Sequence, residues 1–490
     1  MTSRTHDIDE GWAWVVLAAV YSGILLVSTV ILTAGVLYIE LLDYYQDDAT
    51  KTSIIGSLNS GLLCLLGPLV SICINKLSCR VTIFSGGVFL MLAYLTSAFV
   101  SNINLLIFSI GVVGGIGNAL SGVPLAVVLV YYFERRRNIV LTLSQAVIGV
   151  AIFLASPLAL WLLEEYGLKG TFLILAGICA HLCVCAVICK PSVEEEKLKI
   201  NALKSKDVTM NKPYTYCKCD SLLDLQVLRS LPFVLFLMST STWNFMLSVC
   251  LMHLPNYVMT KGLNATDITV LMTIFSISNT VGRLSAVFIV DCKHLDNMVV
   301  HICCLVIASI FALFFQLYNH LPSAEYVFVA ATGILTGLPN SLATPLTLAL
   351  IGVENISIAH GLVYFFCGIG YVSGPPLAAL LLEKTGSYEN SFIMSGAVLL
   401  FGSVMAVAAK IRQRKAQEER GKRTLNAAVK KCRRFLKIFS SDSIAYITFR
   451  QLLIFSDEHN MFGYIRTANH HVLSTTFLTS IWKSVNLKIC

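Results

Sequence analysis

The sequence predicts an all-α membrane protein of about twelve transmembrane helices, arranged as two bundles of six. Three observations carry that expectation: the composition, the lengths of the apolar runs and the alternation of charge between loops. Of 490 residues, 56% are hydrophobic and 13% are charged, with a mean hydropathy of +0.74. Soluble domains carry about 25% charged residues, so this chain meets mostly lipid.

A bilayer-crossing helix needs about 20 mostly apolar residues. Runs of that kind fall at 12–39, 53–75, 81–100, 105–132, 139–163, 171–189, 231–258, 268–290, 298–317, 326–351, 359–382 and 391–409. No cleavable signal peptide is expected, because polar and acidic residues lead straight into a run too long for one. The loops after spans two, four and six are basic: Lys76 and Arg80, then Arg135, Arg136 and Arg137, then a lysine-rich stretch. The loops after spans one and five are acidic, with Glu40, Asp43, Asp47 and Asp48, then Glu164 and Glu165. The positive-inside rule therefore puts both termini in the cytoplasm.

This reading divides the chain into a cytoplasmic N-terminus (1–11), a first six-helix bundle (12–189), a cytoplasmic central loop (190–230), a second bundle (231–410) and a basic cytoplasmic tail (411–490). Twelve spans split six and six by a polar loop is the layout of two-bundle secondary transporters, which hold substrate near the midplane. The net charge of +8 lies mostly in loops and tail, so it is read as topology and not as nucleic-acid binding. The tail clusters Arg412–Lys415 and Lys430–Arg434 serve the same role, with anionic lipid as a second reading. Asn264-Ala265-Thr266 is a glycosylation sequon in an outside loop.

The 16 cysteines lie mostly in apolar runs, where they act as small apolar residues. Cys217 and Cys219 form only a weak metal signal, and no disulfide, metal or cofactor is expected. Metal-ligand spacings, a nucleophile elbow and a phosphate loop are all missing from the sequence, so an enzyme is not expected.

Span eight carries an arginine, Arg283, at a cost of about 2.5–3.5 kcal/mol on insertion scales. Asn279 is four residues earlier, on the same helix face. Arg283 either faces a central cavity and pairs with a substrate carboxylate, or snorkels toward water and Asp291. Asn59, Asn118, Gln145, Asn244 and Thr344 are further polar residues inside spans, each able to line the cavity or to bridge two helices. His181 is read as a packing histidine.

The stretch Asp9-Glu10-Gly11-Trp12-Ala13-Trp14 reads first as an acidic cap and aromatic anchor at the mouth of span one. It also resembles the signature that opens the monocarboxylate transporter family (solute carrier family 16), a branch of the major facilitator superfamily. Tyr132-Phe133-Glu134-Arg135-Arg136-Arg137 is similar to the family's second signature. The small residues that should follow appear instead as Val140, Thr142 and Val147, with Gly149 retained, so looser or altered packing of span five is expected. Gly374-Pro375-Pro376 and Thr385-Gly386-Ser387-Tyr388 with Phe392 resemble the end of the family's span eleven. Gly35–Glu40 and Thr82–Gly87 most resemble one particular member. The likeness covers Asp9 to about Lys410.

The resemblance implies a plasma-membrane transporter working by alternating access, with Arg283 as the substrate's counter-ion. Its proton-coupled members have an aspartate where Asn279 stands and a lysine in span one, at Leu32. Neither Asn279 nor Leu32 can carry a proton, so facilitated diffusion of a small organic anion or zwitterion is expected. Creatine-, carnitine- or amino-acid-like solutes belong to the same expectation. A smaller residue at Thr344 than the family's aromatic suggests a wider pocket. Arg135, Arg136 and Arg137 fix topology and are candidates to pair with Asp291 or Glu354 at a cytoplasmic gate. A single-span glycoprotein chaperone partners some relatives. The alternatives are a proton-coupled monocarboxylate symporter using other acids and a carrier-like receptor or scaffold that no longer transports.

Overall fold

A computed structural model describes residues 8–45, 49–197, 225–262, 264–292, 294–321 and 323–436. Asp47, Asp48, Cys217, Cys219 and the tail beyond 436 lie outside the described residues, as does most of the central loop. Two compact units are distinguished, 1–413 and 414–490, and the described part of the second, 414–436, is helical.

Among the described residues every regular element is a helix. Nine are long and apolar enough to cross a membrane, and the bent pair Ile54–Leu65 and Gly67–Lys76 makes a tenth. The other two of the twelve predicted spans are also visible. Arg137–Ile188 breaks at Gly167, with φ 62° and ψ −178°, a backbone region that residues with a Cβ rarely enter, and so forms spans five and six. Asn297–Leu313 is a shorter apolar helix at the place of span nine. The first span runs on through Ala34–Tyr45, so Glu40 and Asp43 sit on helix where a loop was expected. Span seven is Leu231–Thr260, span eight Ala265–Val290, span ten Ala324–Ile351 and span eleven Ile356–Thr385.

The apolar core divides in two. One cluster draws on residues from Ala13 to Cys189 together with Ile356, the other on residues from Val227 to Ala409. Each half buries its own aliphatic and aromatic side chains, such as Phe172 in the first and Phe315, Phe328 and Phe392 in the second. Large apolar residues stay exposed on the outer faces, among them Phe99, Phe108, Phe288 and Leu317. In water such a surface would aggregate; in lipid it is the expected face.

The halves meet at more than one level, and at one end through spans two, four and eleven. Ser71 donates to the Ser357 carbonyl at 2.7 Å, and the hydroxyls of Tyr131 and Ser357 lie 2.8 Å apart. Gly67 and Gly361 bring spans two and eleven into backbone contact. A Cβ on Gly361 would lie 2.1 Å from Ser71 Oγ and 2.4 Å from the Gly67 carbonyl oxygen. Spans five and eight cross at Gly149, where a Cβ would lie 2.8 Å from Thr280 Cγ2. Val140 and Thr142, about two turns or more earlier on span five, are buried, and the retained glycine keeps this crossing tight.

The Asp9–Trp14 stretch packs at this same end, but Asp9 does not cap its own helix as the sequence suggested. With φ at 60°, Asp9 turns away from span one. Its N–H donates to the Tyr132 carbonyl, and its carboxylate accepts from the N–H groups of Glu134 and Arg135 at 3.1 and 2.8 Å, with Arg136 N–H at 3.5 Å. It thus caps the turn that starts span five. Trp12 Nε1 donates to the Ile188 carbonyl and Lys190 sits over its ring, while Trp14 packs edge-on to Phe133 beneath Arg136. Removing the carboxylate with Asp9→Ala should cost about 1–2 kcal/mol, as for a helix cap. A lowered melting temperature in detergent, with Asp9→Asn intermediate, is the expected readout.

Candidate functional site

Between the halves lies a cavity of about 360 Å³, within the range of small-molecule sites. It is lined from spans one, two, four, five, seven, eight, ten and eleven. His360, one turn into span eleven from the Ser357 contact, lies nearest the closed end. Leu32, Leu251 and Tyr371 lie several turns further along their helices.

Arg283 reaches this cavity and is 6% exposed. Asp291 is the C-cap of span eight, two turns beyond Arg283, and the guanidinium bonds to Asn279 and Gln145 and not to Asp291. Nε donates to Asn279 Oδ1 at 2.8 Å, and Nη1 donates to both the backbone carbonyl and Oε1 of Gln145 at 3.2 Å. Asn279 is itself anchored to span ten, its Nδ2 donating to the Gly333 carbonyl and to Thr336 Oγ1. Arg283 is therefore held from two bundles at once. Three of its donors are engaged, and Nη2 has no partner among the described residues. No Asp, Glu or Lys is among the described lining residues. The cavity therefore holds one fixed cation with part of its planar fork unspent, a geometry suited to a carboxylate.

Of the residues singled out from sequence, Arg283, Asn279, Gln145, Asn244 and Thr344 line this cavity, and Leu32 does too. Asn244 donates to the Thr240 carbonyl of its own helix. Asn59 and Asn118 are a correction. They do not line the cavity: Asn118 Nδ2 donates to Asn59 Oδ1 at 2.6 Å, and Asn59 Nδ2 donates to the Ile110 carbonyl at 2.8 Å. A buried amide is satisfied most cheaply by its neighbour, and here the neighbour is another amide. Asn118→Leu should leave Asn59 short of a partner, lowering stability by about 1–3 kcal/mol. Thermal unfolding should register the loss while the half-saturating solute concentration stays unchanged.

His181 is also corrected. It is exposed on the outer face, its Nδ1 2.9 Å from the Gly177 carbonyl, and is not packed inside. Among the described residues Arg135, Arg136 and Arg137 form no ion pair with Asp291 or Glu354; Lys197–Glu194 and Lys410–Asp296 do pair. Arg137 Nε donates to the Phe133 carbonyl instead. Asn264 is exposed and caps span eight. His360, Tyr364 and Trp243 are cavity residues that the sequence reading did not single out.

The family model described as the Major Facilitator Superfamily matches residues 17–300 and 296–482. The chain belongs to the Major Facilitator Superfamily, a class of membrane transporters and not of enzymes. Its relatives are monocarboxylate transporters. It is 26% identical to monocarboxylate transporter 12 of Homo sapiens over 467 residues, 91% of this chain and 89% of the relative. It is 29% identical to monocarboxylate transporter 4 of Mus musculus over 404 residues, 81% and 83% of the two chains. These support the family and not the narrower likeness to one member. Among solved structures, the human organic anion transporter MFSD10 superposes with a TM-score of 0.61 at 13% identity, covering 81% of this chain and all of that one. The E. coli fucose:proton symporter FucP superposes with a TM-score of 0.58 at 12% identity, covering 81% and 99%.

Proposed function

We propose that this protein moves small carboxylate-bearing solutes across the plasma membrane by facilitated diffusion, with both termini in the cytoplasm. The observation that carries the proposal is Arg283: a buried cation in a solute-sized cavity, braced by Asn279 and Gln145, with Nη2 unpaired among the described residues. A buried charge without a counter-ion is costly, and a substrate carboxylate offsets that cost while bound. The relatives named as monocarboxylate transporters point to the same chemistry.

The two separate cores support alternating access. In this reading the Ser71–Ser357–Tyr131 contact is the cytoplasmic plug, and the described arrangement faces outward. Rocking of one half against the other would break those few hydrogen bonds and expose the cavity to the cytoplasm. Arg283 takes part in both halves, through Asn279 and Gln145, so its occupancy by an anion bears on that motion.

No acid is among the described residues lining the cavity with Arg283, which argues for uniport. Asn279 donates and accepts but does not titrate. Uptake of a labelled monocarboxylate at pH 6 and pH 8 should therefore differ by less than about twofold, since no carboxylate is among the described lining residues and the buried His360 ring, the one lining imidazole among them, stays neutral in this reading. Acid stimulation of about tenfold would refute uniport and favour a proton-coupled mechanism. Absence of saturable uptake for every monocarboxylate tried would refute the carboxylate reading itself.

A further inference from the structure

His360 is a second polar group lining the cavity, and nothing among the described residues satisfies it. It is 2% exposed, and neither Nδ1 nor Nε2 has a hydrogen-bond partner among the described residues. Both ring nitrogens are closed off in this arrangement; leaving them unpaired is costly, and a polar group that reaches them as the cavity rearranges relieves that cost. The ring packs edge-to-face on Tyr364, with centroids 5.0 Å apart, and Tyr364 lies within electrostatic reach of Arg283. All three residues line the one cavity. His360 is one helical turn closer to the plug than Tyr364, so the imidazole meets a group displaced from the one that Arg283 takes.

Resting on the carboxylate reading, we infer that His360 is a specificity-determining residue that hydrogen-bonds a second, neutral polar group, a hydroxyl, on the transported carboxylate. A neutral imidazole offers one donor and one acceptor, which a hydroxyl matches in both senses. A second carboxylate does not fit, because Arg283 is the single cation among the described lining residues and would leave it uncompensated. An ammonium does not fit either, because no acid is among the described lining residues to receive it and Arg283 lines the same cavity. Rejection of the analogue that lacks the hydroxyl follows from the unpaired ring it would leave behind.

The test uses the full chain reconstituted in liposomes, with labelled butyrate and 2-, 3- and 4-hydroxybutyrate as probes. The unsubstituted protein should favour at least one hydroxy isomer over butyrate by about fivefold or more in half-saturating concentration. His360→Leu, with His360→Met as a second apolar variant, should weaken that isomer by about tenfold and leave butyrate within about twofold. His360→Gln, which keeps a donor and an acceptor, should restore most of the preference. Equal weakening of all four probes would mean that the ring packs or holds water only, and would overturn the inference. Preference for the hydroxy isomer surviving in both apolar variants, or no such preference in the unsubstituted protein, would also overturn it. Failure of the unsubstituted protein to move any of the four would overturn the carboxylate reading and this inference together.

Discussion

Arg283→Ala should lower solute flux about 100-fold or more while the protein still folds and reaches the membrane. Truncating one partner of a buried, hydrogen-bonded charge pair costs about 2–5 kcal/mol, and each 1.4 kcal/mol is a factor of ten. Folding should survive because alanine removes a buried charge together with its desolvation cost. Arg283→Lys should be almost as damaging. A single ammonium cannot bond Asn279 Oδ1 and Gln145 Oε1 and still present a planar fork to a ligand. The check is initial-rate uptake normalised to surface expression. A receptor or scaffold would instead keep its partner binding in both variants.

Gly361→Ala should act on the conformational equilibrium rather than on the site. The new Cβ would lie 2.1 Å from Ser71 Oγ and 2.4 Å from the Gly67 carbonyl oxygen. The hydroxyl can rotate away, but the backbone carbonyl cannot, so spans two and eleven must separate. Overpacking of this kind costs about 1–3 kcal/mol, and here it falls only on the arrangement in which the plug is closed. A ligand-independent shift of about 5- to 150-fold toward the opposite arrangement is expected. Flux should fall, because a carrier trapped on one side completes fewer cycles. Labelling of Ser357→Cys, buried beside Tyr131 in this arrangement, should be markedly faster when Gly361→Ala is added. Unchanged labelling would show that these glycines do not hold the plug.

Much of this architecture is legible in the sequence, because lipid imposes a simple rule: long apolar runs must be helices. Gly167 marks the boundary between spans five and six as a break between two apolar runs. Arg283 stands out because a cation in such a run has few explanations. Polar but uncharged residues are harder to assign. Asn59 and Asn118 carry the same signal as Asn244 and Gln145, yet they pair with each other, because facing a cavity and facing a neighbouring helix leave the same trace in one strand of sequence. His360 escapes notice for a different reason. It lies at the mouth of span eleven, among Ser357, Ala359 and Gly361, where a polar residue reads as the end of a helix. Its spacing of four from Tyr364, placing both on one helix face, is the signal that could have flagged it. Asp9 reads as a cap for the helix it precedes, and only the tertiary fold brings the turn at Glu134–Arg136 beneath it.

In the proposed function Arg283 recognises a negative charge on the solute. The most direct measurement compares saturable uptake of a monocarboxylate with that of its primary amide, an uncharged analogue of nearly the same shape, in the unsubstituted protein and in Arg283→Ala. The account predicts that the unsubstituted protein prefers the carboxylate by about 100-fold and that this preference collapses toward parity in the variant. Equal transport of acid and amide by the unsubstituted protein, or a preference undiminished without the guanidinium, would contradict it.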